Sequence, residues 1–470
     1  MKDKFFRDLM ILFLAALLMM FATPPFNFFF CAYLSLPVAL SAVKKSDKPF
    51  LYGFLYGLFY YAISMYWIIY VLSKYGNIHY VISFFLFLLL IAYLSLYYAV
   101  FFFFFRKFNK NFSAIINTFI FSFLWIFLEF IRSNFLTGFP WMLVGYTQYN
   151  FLPVIQISSV LGIYSVSFIV IFLSFSIYYF FIREKFRYLP IVISIISISV
   201  LFFWGSQRID SIKREVMGKK ELNVLLIQGN IDQSQKWEKE LQKNIVLKHL
   251  RMTKENIDSK TDLVVWSETA LPLIYGADKE ITEFFKKESS NLDIPIISGF
   301  VGYTWDDKGN PKLTNSAGIF YKGELIDKYD KVHLVPFGEY VPLQKLLFFV
   351  NKLVAAAGDF VSGEIIKTCT FHDQCYGIMI CYESIFPEIS KKLSKNGAKI
   401  LINITNDAWF GNSPAPYQHF AMSIFRAIEN KKYLIRVANT GITGIITPWG
   451  EVVSKTNLYE DRIIKGVVYY

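Results

Sequence analysis

The sequence predicts a bundle of transmembrane α-helices followed by a layered α/β domain. Hydrophobic residues make up 54% of the 470 residues and aromatic residues 19%, and long apolar runs recur through the first two hundred residues. From about Leu222 onward, short β-rich runs alternate with polar and helical segments, a pattern typical of a layered α/β core. We therefore expect a transmembrane domain at residues 1–204 and a second domain at residues 205–470.

Seven apolar runs are long enough to cross the ~30 Å hydrocarbon core of a bilayer. They lie at residues 5–22, 26–43, 50–72, 81–105, 112–131, 160–182 and 188–204. The first run also fits a secretory signal peptide, but no small-residue cleavage motif stands before Thr23 and Pro24. We therefore expect about seven transmembrane helices.

The distribution of basic residues predicts the orientation, because short loops rich in Lys and Arg stay on the cytoplasmic side. With the amino terminus inside, the inner segments hold twelve Lys and Arg residues and the outer loops hold two, Lys74 and Arg132. Seven crossings then place the second domain outside the cytoplasm. A cleaved first segment leaves that placement unchanged.

The net charge of +12 reflects in part the basic inner loops, and the remainder favours anionic lipid surfaces. No basic stripe is interleaved with aromatic residues on a recognisable nucleic-acid module, so we expect no nucleic-acid partner. The sequence also lacks an HExxH motif and a phosphate-binding glycine loop, so we expect no metal and no cofactor.

Seven β-rich runs and two amphipathic stretches form the pattern of the second domain. The predicted strands are LNVLLIQGN, DLVVWSE, IPIISGF, NSAGIFY, YGIMICYE, AKILINITND and TGITGIITPWG, and the predicted helices cover residues 237–257 and 416–434. Cys369 and Cys375 flank the turn-like segment TFHDQ. They either form a disulfide across a hairpin or remain unpaired thiols, since spacing alone does not show the geometry that a bridge requires.

Three residues with chemical potential each lie in an extended motif: Glu268 in VVWSETALP, Lys331 in YDKVHLVPFGEYVP and Cys381 in GIMICYESIFPE. Acyl transfer needs a nucleophile, a base and a positive or hydrogen-bonding group for the carbonyl oxygen, and a thiol, a carboxylate and an ammonium supply these. Cys381 follows an apolar run, where we expect a sharp turn. Each residue alone is more often a core or a solvated side chain, but the three motifs together favour an active site.

These motifs resemble those of the nitrilase superfamily, through VVWSET, the Lys331 loop, ICYE and TNDAWFG. The segments QGNIDQSQKW, FGEYVP and YQHFAMSIFRAIENKKYLIRVANTGIT are similar to the membrane-embedded branch of that superfamily, the bacterial apolipoprotein N-acyltransferases. So are EFIRSNFLTGFPWMLVGYTQ and LGIYSVSFIV in the apolar half. The resemblance covers residues 8–470, and it implies an αββα sandwich for the second domain.

The resemblance implies a ping-pong acyl transfer at the outer, periplasmic face of the bacterial inner membrane. Cys381 would attack the sn-1 ester of a phospholipid such as phosphatidylethanolamine and form a thioester. The free α-amine of the diacylglyceryl-modified cysteine at the start of an apolipoprotein would then accept the acyl chain, the last step of lipoprotein maturation. Glu268 would be the base, and Lys331 would stabilise the tetrahedral intermediates. The expected partners are these two substrates and membrane lipids, and the expected state is a monomer.

Further acidic and aromatic residues match family positions at the active site. Glu339 in FGEYVP and Glu383 beside the nucleophile would orient Lys331 or hold its charge. Tyr382 would supply a backbone donor or a packing wall, or it is an ordinary core aromatic.

Trp237 and Trp409 match aromatic residues near the acyl site, although core packing explains them as well. In the apolar half, Glu129 and Arg132 are either functional intramembrane charges or a helical i,i+3 pair. Gly138 in TGFPW either permits close approach of a lipid headgroup or makes a turn. Arg132 and Gly138 are therefore candidate substrate-binding residues.

The apolar segment LQKLLFFVNKL at residues 343–353 is predicted to be a mobile arm that dips into the outer leaflet, or else an amphipathic packing helix. Family members commonly end in a further transmembrane helix, whereas this sequence ends at KGVVYY without another apolar run. We therefore expect the carboxyl terminus to stay outside.

Two other functions compete with acyl transfer to an amine. A membrane-anchored, nitrilase-like amidase or hydrolase would use water in place of the amine, and it needs no seven transmembrane helices. A transporter is disfavoured because charges within the apolar runs are scarce and the catalytic motifs lie outside them.

Overall fold

The computed structural model describes residues 2–44, 46–76, 78–182, 187–340 and 360–470. The chain divides into two compact units. The helical unit consists of Met1–Ile69, His79–Ser211 and Tyr417–Phe425, and the sheet unit consists of Tyr70–Ile78, Ile212–Pro416 and Arg426–Tyr470. Each unit therefore contains a short segment that is distant in sequence from the rest of that unit.

The first half of the chain is helical. Its helices are α1 Lys2–Ala22, α2 Cys31–Val43, α3 Pro49–Ser64, α4 Trp67–Tyr70, α5 Tyr80–Phe108, α6 Ala114–Asn134, α7 Leu152–Ile155, α8 Ser158–Leu161, α9 Ile163–Phe180 and α10 Tyr188–Val216. A π-helical turn, Val71–Tyr75, follows α4, and 3₁₀ turns lie at Phe135–Thr137 and Val144–Gln148. Helices α3 and α5 pack closely because α3 carries Gly53 and Gly57, one turn apart. A Cβ on Gly53 would lie 2.4 Å from the carbonyl oxygen of Tyr98.

Five helical segments in the described part of the chain are long and apolar enough to cross a membrane: Asp3–Ala22, Tyr80–Phe108, Ala114–Thr137, Ile163–Phe180 and Tyr188–Val216. The segments Pro49–Ser64 and Trp67–Tyr75 pass the same test together, as one span bent by 57°. The chain is therefore a multi-pass membrane protein.

The predicted spans differ from the observed helices at two places. Helix α2 has only 13 residues, too few for a perpendicular crossing at 1.5 Å per residue, because the Pro-containing segment before Cys31 forms turns. Helix α10 does not end with the apolar run at residue 204 but continues to Val216, since a helix needs no apolar side chains to propagate. The two units divide within α10, at Ser211 and Ile212. Seven crossings and a boundary at residue 204 stay predictions.

The sheet unit holds two β-sheets. The strands are β1 Glu221–Gln228, β2 Leu263–Trp266, β3 Leu271–Ile274, β4 Ile296–Trp305, β5 Pro311–Tyr321, β6 Glu324–Asp330, β7 Cys369–Phe371, β8 Gln374–Ile380, β9 Ile400–Thr405, β10 Leu434–Ala438, β11 Gly444–Ile446, β12 Val452–Lys455 and β13 Arg462–Tyr469. The first sheet has the order β13-β1-β2-β4-β5-β6, with β3 paired to β4, and the second has the order β12-β11-β10-β9-β8-β7.

Helices cover the outer faces of the two sheets. Helices α11 Lys239–Lys254 and α12 Lys279–Ser289 bury Val246, Leu250 and Phe285 against the first sheet, and α13 Pro387–Lys395 packs on β8 and β9 of the second. The last helix, α14, consists of residues Ala415–Asn430. Between the sheets, the hydroxyls of Thr443 and Thr456 donate to Oε1 of Gln228, at 2.7 and 2.8 Å. The layers are helix, sheet, sheet and helix, which confirms the predicted αββα sandwich.

The hairpin of β7 and β8 decides between the two interpretations of its cysteines. Cys375 pairs with Thr370, whereas Cys369 pairs with Tyr376. Because neighbouring residues in a strand point to opposite faces, the two thiols lie on opposite faces of the sheet. Both are free cysteines, so the structure favours two unpaired thiols.

Candidate active site

The three predicted catalytic side chains each follow a strand of the sheet unit. Glu268 lies two residues after β2, Lys331 directly after β6 and Cys381 directly after β8. All three are buried, with 6%, 1% and 7% of their surfaces exposed. The charges of Glu268 and Lys331 both act on the thiol of Cys381. The structure thus brings the three groups into one site.

Cys381 stands at a strained turn. Its φ of +51° lies in the left-handed region, which costs a residue with a side chain on the order of 1–3 kcal/mol. A 3₁₀ turn, Cys381–Ile385, begins at this residue. The sharp turn that we predicted after β8 is therefore present.

Glu383 connects the turn at Cys381 to the loop that contains Lys331. Its carboxylate accepts hydrogen bonds from the backbone N–H of Ile380 at 2.8 Å, the backbone N–H of Val332 at 2.8 Å and the hydroxyl of Tyr329 at 2.8 Å. Burial raises the pKa of Glu383 to about 7, although these hydrogen bonds oppose the shift. Tyr329 and Val332 lie on either side of Lys331 in the sequence, so Glu383 fixes the position of the lysine through the chain around it.

Glu339 holds the ammonium of Lys331 directly. Nζ of Lys331 lies 2.9 Å from each carboxylate oxygen of Glu339. The side-chain amide of Asn315 donates to Oε1 of Glu339 at 2.7 Å and to Oε1 of Glu268 at 2.8 Å. Asn315 therefore links the two carboxylates and fixes the spacing between the predicted base and the lysine.

The electrostatics keep the lysine charged and the thiol protonated. Burial alone would lower the pKa of Lys331, but the charges of Glu339, Glu268 and Cys381 outweigh burial and raise it. Burial and the charge of Glu268 raise the pKa of Cys381, and the charge of Lys331 only partly offsets them. At neutral pH Cys381 is thus a thiol, and a thiol needs a base to become a thiolate.

Glu268 presents one free oxygen for that purpose. Its Oε2 is buried and has no hydrogen-bond partner among the residues that the structure describes. A carboxylate oxygen without a hydrogen-bond partner has lone pairs free to accept a proton. The turn around Glu268 is tight, because a Cβ on Gly299 would lie 2.3 Å from the backbone nitrogen of Thr269 and 2.7 Å from Cα of Glu268.

Sequence reasoning missed several polar residues of this site, including Asn315. Lys236 is buried, and its Nζ donates to the main-chain oxygen of Glu268 at 3.0 Å. A fully buried ion pair joins Arg436 to Asp407 at 2.8 Å, and the charge of Asp407 acts on Cys381. The only available signals were the motifs QSQKW, TNDAWFG and YLIRVANTGIT, which contain Lys236, Asp407 and Arg436, whereas Asn315 lies in the predicted strand NSAGIFY.

The predicted aromatic residues lie in separate surroundings within the sheet unit. Tyr382 is buried and packs against Phe386, with ring centroids 5.1 Å apart, so its side chain is a core aromatic. Trp237 packs against a small buried cluster of Val301, Leu334 and Phe360.

Trp409 contacts a residue from the apolar half of the sequence. Its ring centroid lies 5.1 Å from that of Tyr75, and the hydroxyl of Tyr75 donates to the carbonyl oxygen of Ala408 at 3.2 Å. The π-helical turn Val71–Tyr75 thus packs against the NDAWFG loop, inside the sheet unit.

The two candidate residues of the apolar half lie in the helical unit. Arg132 is buried and donates to the hydroxyl of Tyr61 and to the carbonyl oxygen of Met142. Gly138 has a φ of +83°, and a Cβ there would lie 2.1 Å from the carbonyl oxygen of Ser133, so the turn itself requires glycine.

Glu129 and Arg132 hold the same loop. Oε1 of Glu129 accepts the backbone N–H of Val144 at 2.8 Å, two residues after the carbonyl group that Arg132 binds. Both charges therefore brace the loop after α6. The predicted arm at residues 343–353 lies outside the described residues.

Among the described residues, no group of three or more His, Cys, Asp and Glu side chains could hold a metal ion. The site that is present combines a strained thiol, an unpaired carboxylate oxygen and a buried ammonium. Such a set can form and break a thioester by nucleophilic catalysis.

Comparison with known proteins found matches to both halves of the chain. Residues 15–176 match the family model of the apolipoprotein N-acyltransferase N-terminal domain, and residues 224–468 match that of carbon-nitrogen hydrolases. Among solved structures, Saccharomyces cerevisiae Nit3, a member of branch 10 of the nitrilase superfamily, is 21% identical. It aligns with 53% of this chain and 90% of its own, with a TM-score of 0.40.

Full-length relatives match both halves of the chain together. The apolipoprotein N-acyltransferase of Geobacter metallireducens is 36% identical over 441 residues, which are 92% of this chain and 83% of that protein. That of Rickettsia prowazekii is 35% identical over 431 residues, 89% of this chain and 82% of that protein. This chain therefore belongs to the apolipoprotein N-acyltransferase family.

Proposed function

We propose that this protein transfers a fatty acyl chain from a phospholipid to the free α-amine of the N-terminal diacylglyceryl-cysteine of apolipoproteins. The observation that carries the proposal is the arrangement of Cys381, Glu268 and Lys331: a protonated thiol, a carboxylate oxygen without a partner and a buried ammonium. Membership of the family supplies the two substrates, and the site supplies a route between them.

In the first half-reaction Cys381 becomes the acyl carrier. Glu268 takes the thiol proton, and the sulfur attacks the carbonyl carbon of the sn-1 ester of a phospholipid such as phosphatidylethanolamine. Lys331 stabilises the negative oxygen of the tetrahedral intermediate. When the intermediate collapses, the C–O bond breaks, Glu268 returns the proton to the leaving oxygen, and a lysophospholipid departs.

The second half-reaction restores the thiol. The neutral amine of the diacylglyceryl-cysteine attacks the thioester carbon, and Glu268 takes a proton from the attacking nitrogen. Collapse of the second intermediate breaks the C–S bond, and the departing sulfur recovers the proton. No cofactor takes part in this scheme, and Lys331 serves both intermediates because its charge is retained throughout.

We place this reaction at the periplasmic face of the bacterial inner membrane. The basic residues concentrate in the loops that we assign to the cytoplasm, and both substrates are lipids or lipid-anchored. A monomer suffices for this reaction, since every proposed catalytic group belongs to the sheet unit of one chain.

Acyl-labelled phosphatidylethanolamine distinguishes a transferase from a hydrolase. With the purified full-length protein, label is expected on Cys381, as a fatty-acyl mass increment, and it should move to a diacylglyceryl lipopeptide whose amine is free. An N-acetylated lipopeptide is the matched control and should leave the label in place. Label that is lost to water at the same rate with either peptide would favour the hydrolase instead.

Gly299→Ala tests whether the position of Glu268 governs the rate. The new Cβ collides with the backbone at Thr269 and Glu268, so the carboxylate shifts, and a displacement of about 1 Å can slow chemistry ~10²-fold. Acylation of Cys381 is measured by label incorporation over time. Gly218→Ala is the control, because a Cβ at Gly218 meets nothing within 4 Å. Equal rates in the two variants would show that this placement is not critical.

A further inference from the structure

Lys236 is a buried cation that has no role in the mechanism proposed above. It lies in the turn at residues 233–237, between β1 and α11, and only 1% of its surface is exposed. Its Nζ donates to the main-chain oxygen of Glu268 at 3.0 Å. That oxygen carries no formal charge, so the charge of the ammonium acts through space on the ionisable groups around it.

Three ionisable side chains from three different elements interact electrostatically with Lys236. Glu268 follows β2, Cys381 follows β8 and His249 lies on α11. Burial lowers the pKa of Lys236 to about 8, and the charges of Glu268 and Cys381 limit the shift. Burial also lowers the pKa of His249 to about 4, so this imidazole is neutral at pH 7. The electrostatic partners of Lys236 are therefore the base and the nucleophile.

We propose that Lys236 is a positioning residue that fixes the main chain of Glu268 by its hydrogen bond and stabilises the thiolate of Cys381 by its charge. The proposal rests on the function proposed above, in which Glu268 gives up its negative charge as Cys381 acquires one. Because Lys236 interacts with both groups, its positive charge stabilises the negative charge on whichever of the two is deprotonated. Lys331 is paired with Glu339, so the charge of Lys236 is not redundant.

The two roles of Lys236 separate with pH. A neutral amine still donates an N–H group to the oxygen of Glu268, so the geometric role persists above pH 8. The electrostatic role is lost there, because the ammonium loses its proton near its pKa of about 8. The reactivity of Cys381 should therefore increase less steeply with pH above 8 than below it.

Alkylation of Cys381 by iodoacetamide measures thiolate formation directly. The rate is followed by peptide mass spectrometry on the purified full-length protein, across about two pH units on either side of 8. The wild-type profile should break near pH 8. Lys236→Arg, which keeps its charge at these pH values, should lack the break. Lys236→Met should react about tenfold more slowly at pH 7, the effect of one unit in the pKa of the thiol.

Lys239→Met is the matched control, because Lys239 is an exposed lysine three residues further along the chain. It should reproduce the wild-type profile. The proposal is overturned if Lys236→Arg shows the same break as wild type, or if Lys236→Met reacts at the wild-type rate. If Lys236→Met does not fold, the pH profile of alkylation in Lys236→Arg alone tests the proposal.

This assay uses no lipid, so it separates the proposal from the proposed function. A protein whose alkylation profile depends on Lys236 but which never accepts an acyl group from phosphatidylethanolamine would refute the acyltransferase and leave the role of Lys236 standing. Normal acyl transfer with an alkylation profile that is independent of Lys236 would refute the role of Lys236 and leave the acyltransferase standing.

Discussion

Cys381→Ala is expected to abolish covalent labelling by acyl-labelled phosphatidylethanolamine, and with it all transfer to a lipopeptide. The sulfur is the only atom that the mechanism links to the acyl chain, so no residual route remains. The fold should survive, since the substitution removes one buried atom from a turn that Glu383 already holds through the backbone N–H of Ile380. Label incorporation, read by mass spectrometry, checks the result.

Cys375→Ala is the matched control for that experiment. Cys375 lies six residues earlier, within β8, and is a free, partly buried thiol. Its replacement should leave labelling at the wild-type level. Acyl label that persists in Cys381→Ala, on another cysteine or elsewhere, would contradict the proposed thioester.

Lys331→Met is expected to slow acylation of Cys381 by about 10²- to 10³-fold, the usual cost of losing one group that stabilises an oxyanion. The same change leaves the carboxylate of Glu339 buried without its cation. Breaking one side of a buried ion pair costs about 3–5 kcal/mol of unfolding free energy. A slow variant could therefore reflect lost chemistry or lost stability.

The double variant Lys331→Met/Glu339→Gln separates these causes. It removes both charges, so much of the lost stability should return, as measured by thermal unfolding in detergent. The rate should stay low, because no cation faces the developing oxyanion. Lys328→Met, which removes a half-exposed lysine paired with Asp330 at 3.1 Å, is the control and should keep the wild-type rate. A double variant that acylates as fast as wild type would limit Lys331 to a structural role.

Glu268 and Cys381 were predictable because each follows a strand that the sequence marks clearly, whereas Lys331 follows β6, which was not predicted, and was found only through its motif. LVVW and YGIMI are short apolar runs, and a polar residue at the end of such a run lies at a sheet edge. Asn315 gave no comparable signal, since it lies inside β5 and acts only by bridging two carboxylates from distant segments. Contacts of that kind depend on tertiary structure, which local patterns do not encode.

The fold was predictable to a similar extent. All seven predicted strands are present, but β3, β6, β10, β12 and β13 were missed, and β7 was expected only as part of a hairpin. β10 follows α14 after only a few residues, so the helical pattern extended into it. β13 alternates charged and apolar residues at the far end of the chain, and it becomes a strand by pairing with β1 along its whole length. Hydropathy likewise located the apolar helices but not the turns that shorten α2.

The division of segments between the two units has an evolutionary consequence. The sheet unit includes Tyr70–Ile78, and the helical unit includes Tyr417–Phe425. Recombination that joined residues 212–470 to a different anchor would leave Trp409 without the ring of Tyr75. Joining halves from two different proteins would thus require this aromatic contact to be rebuilt.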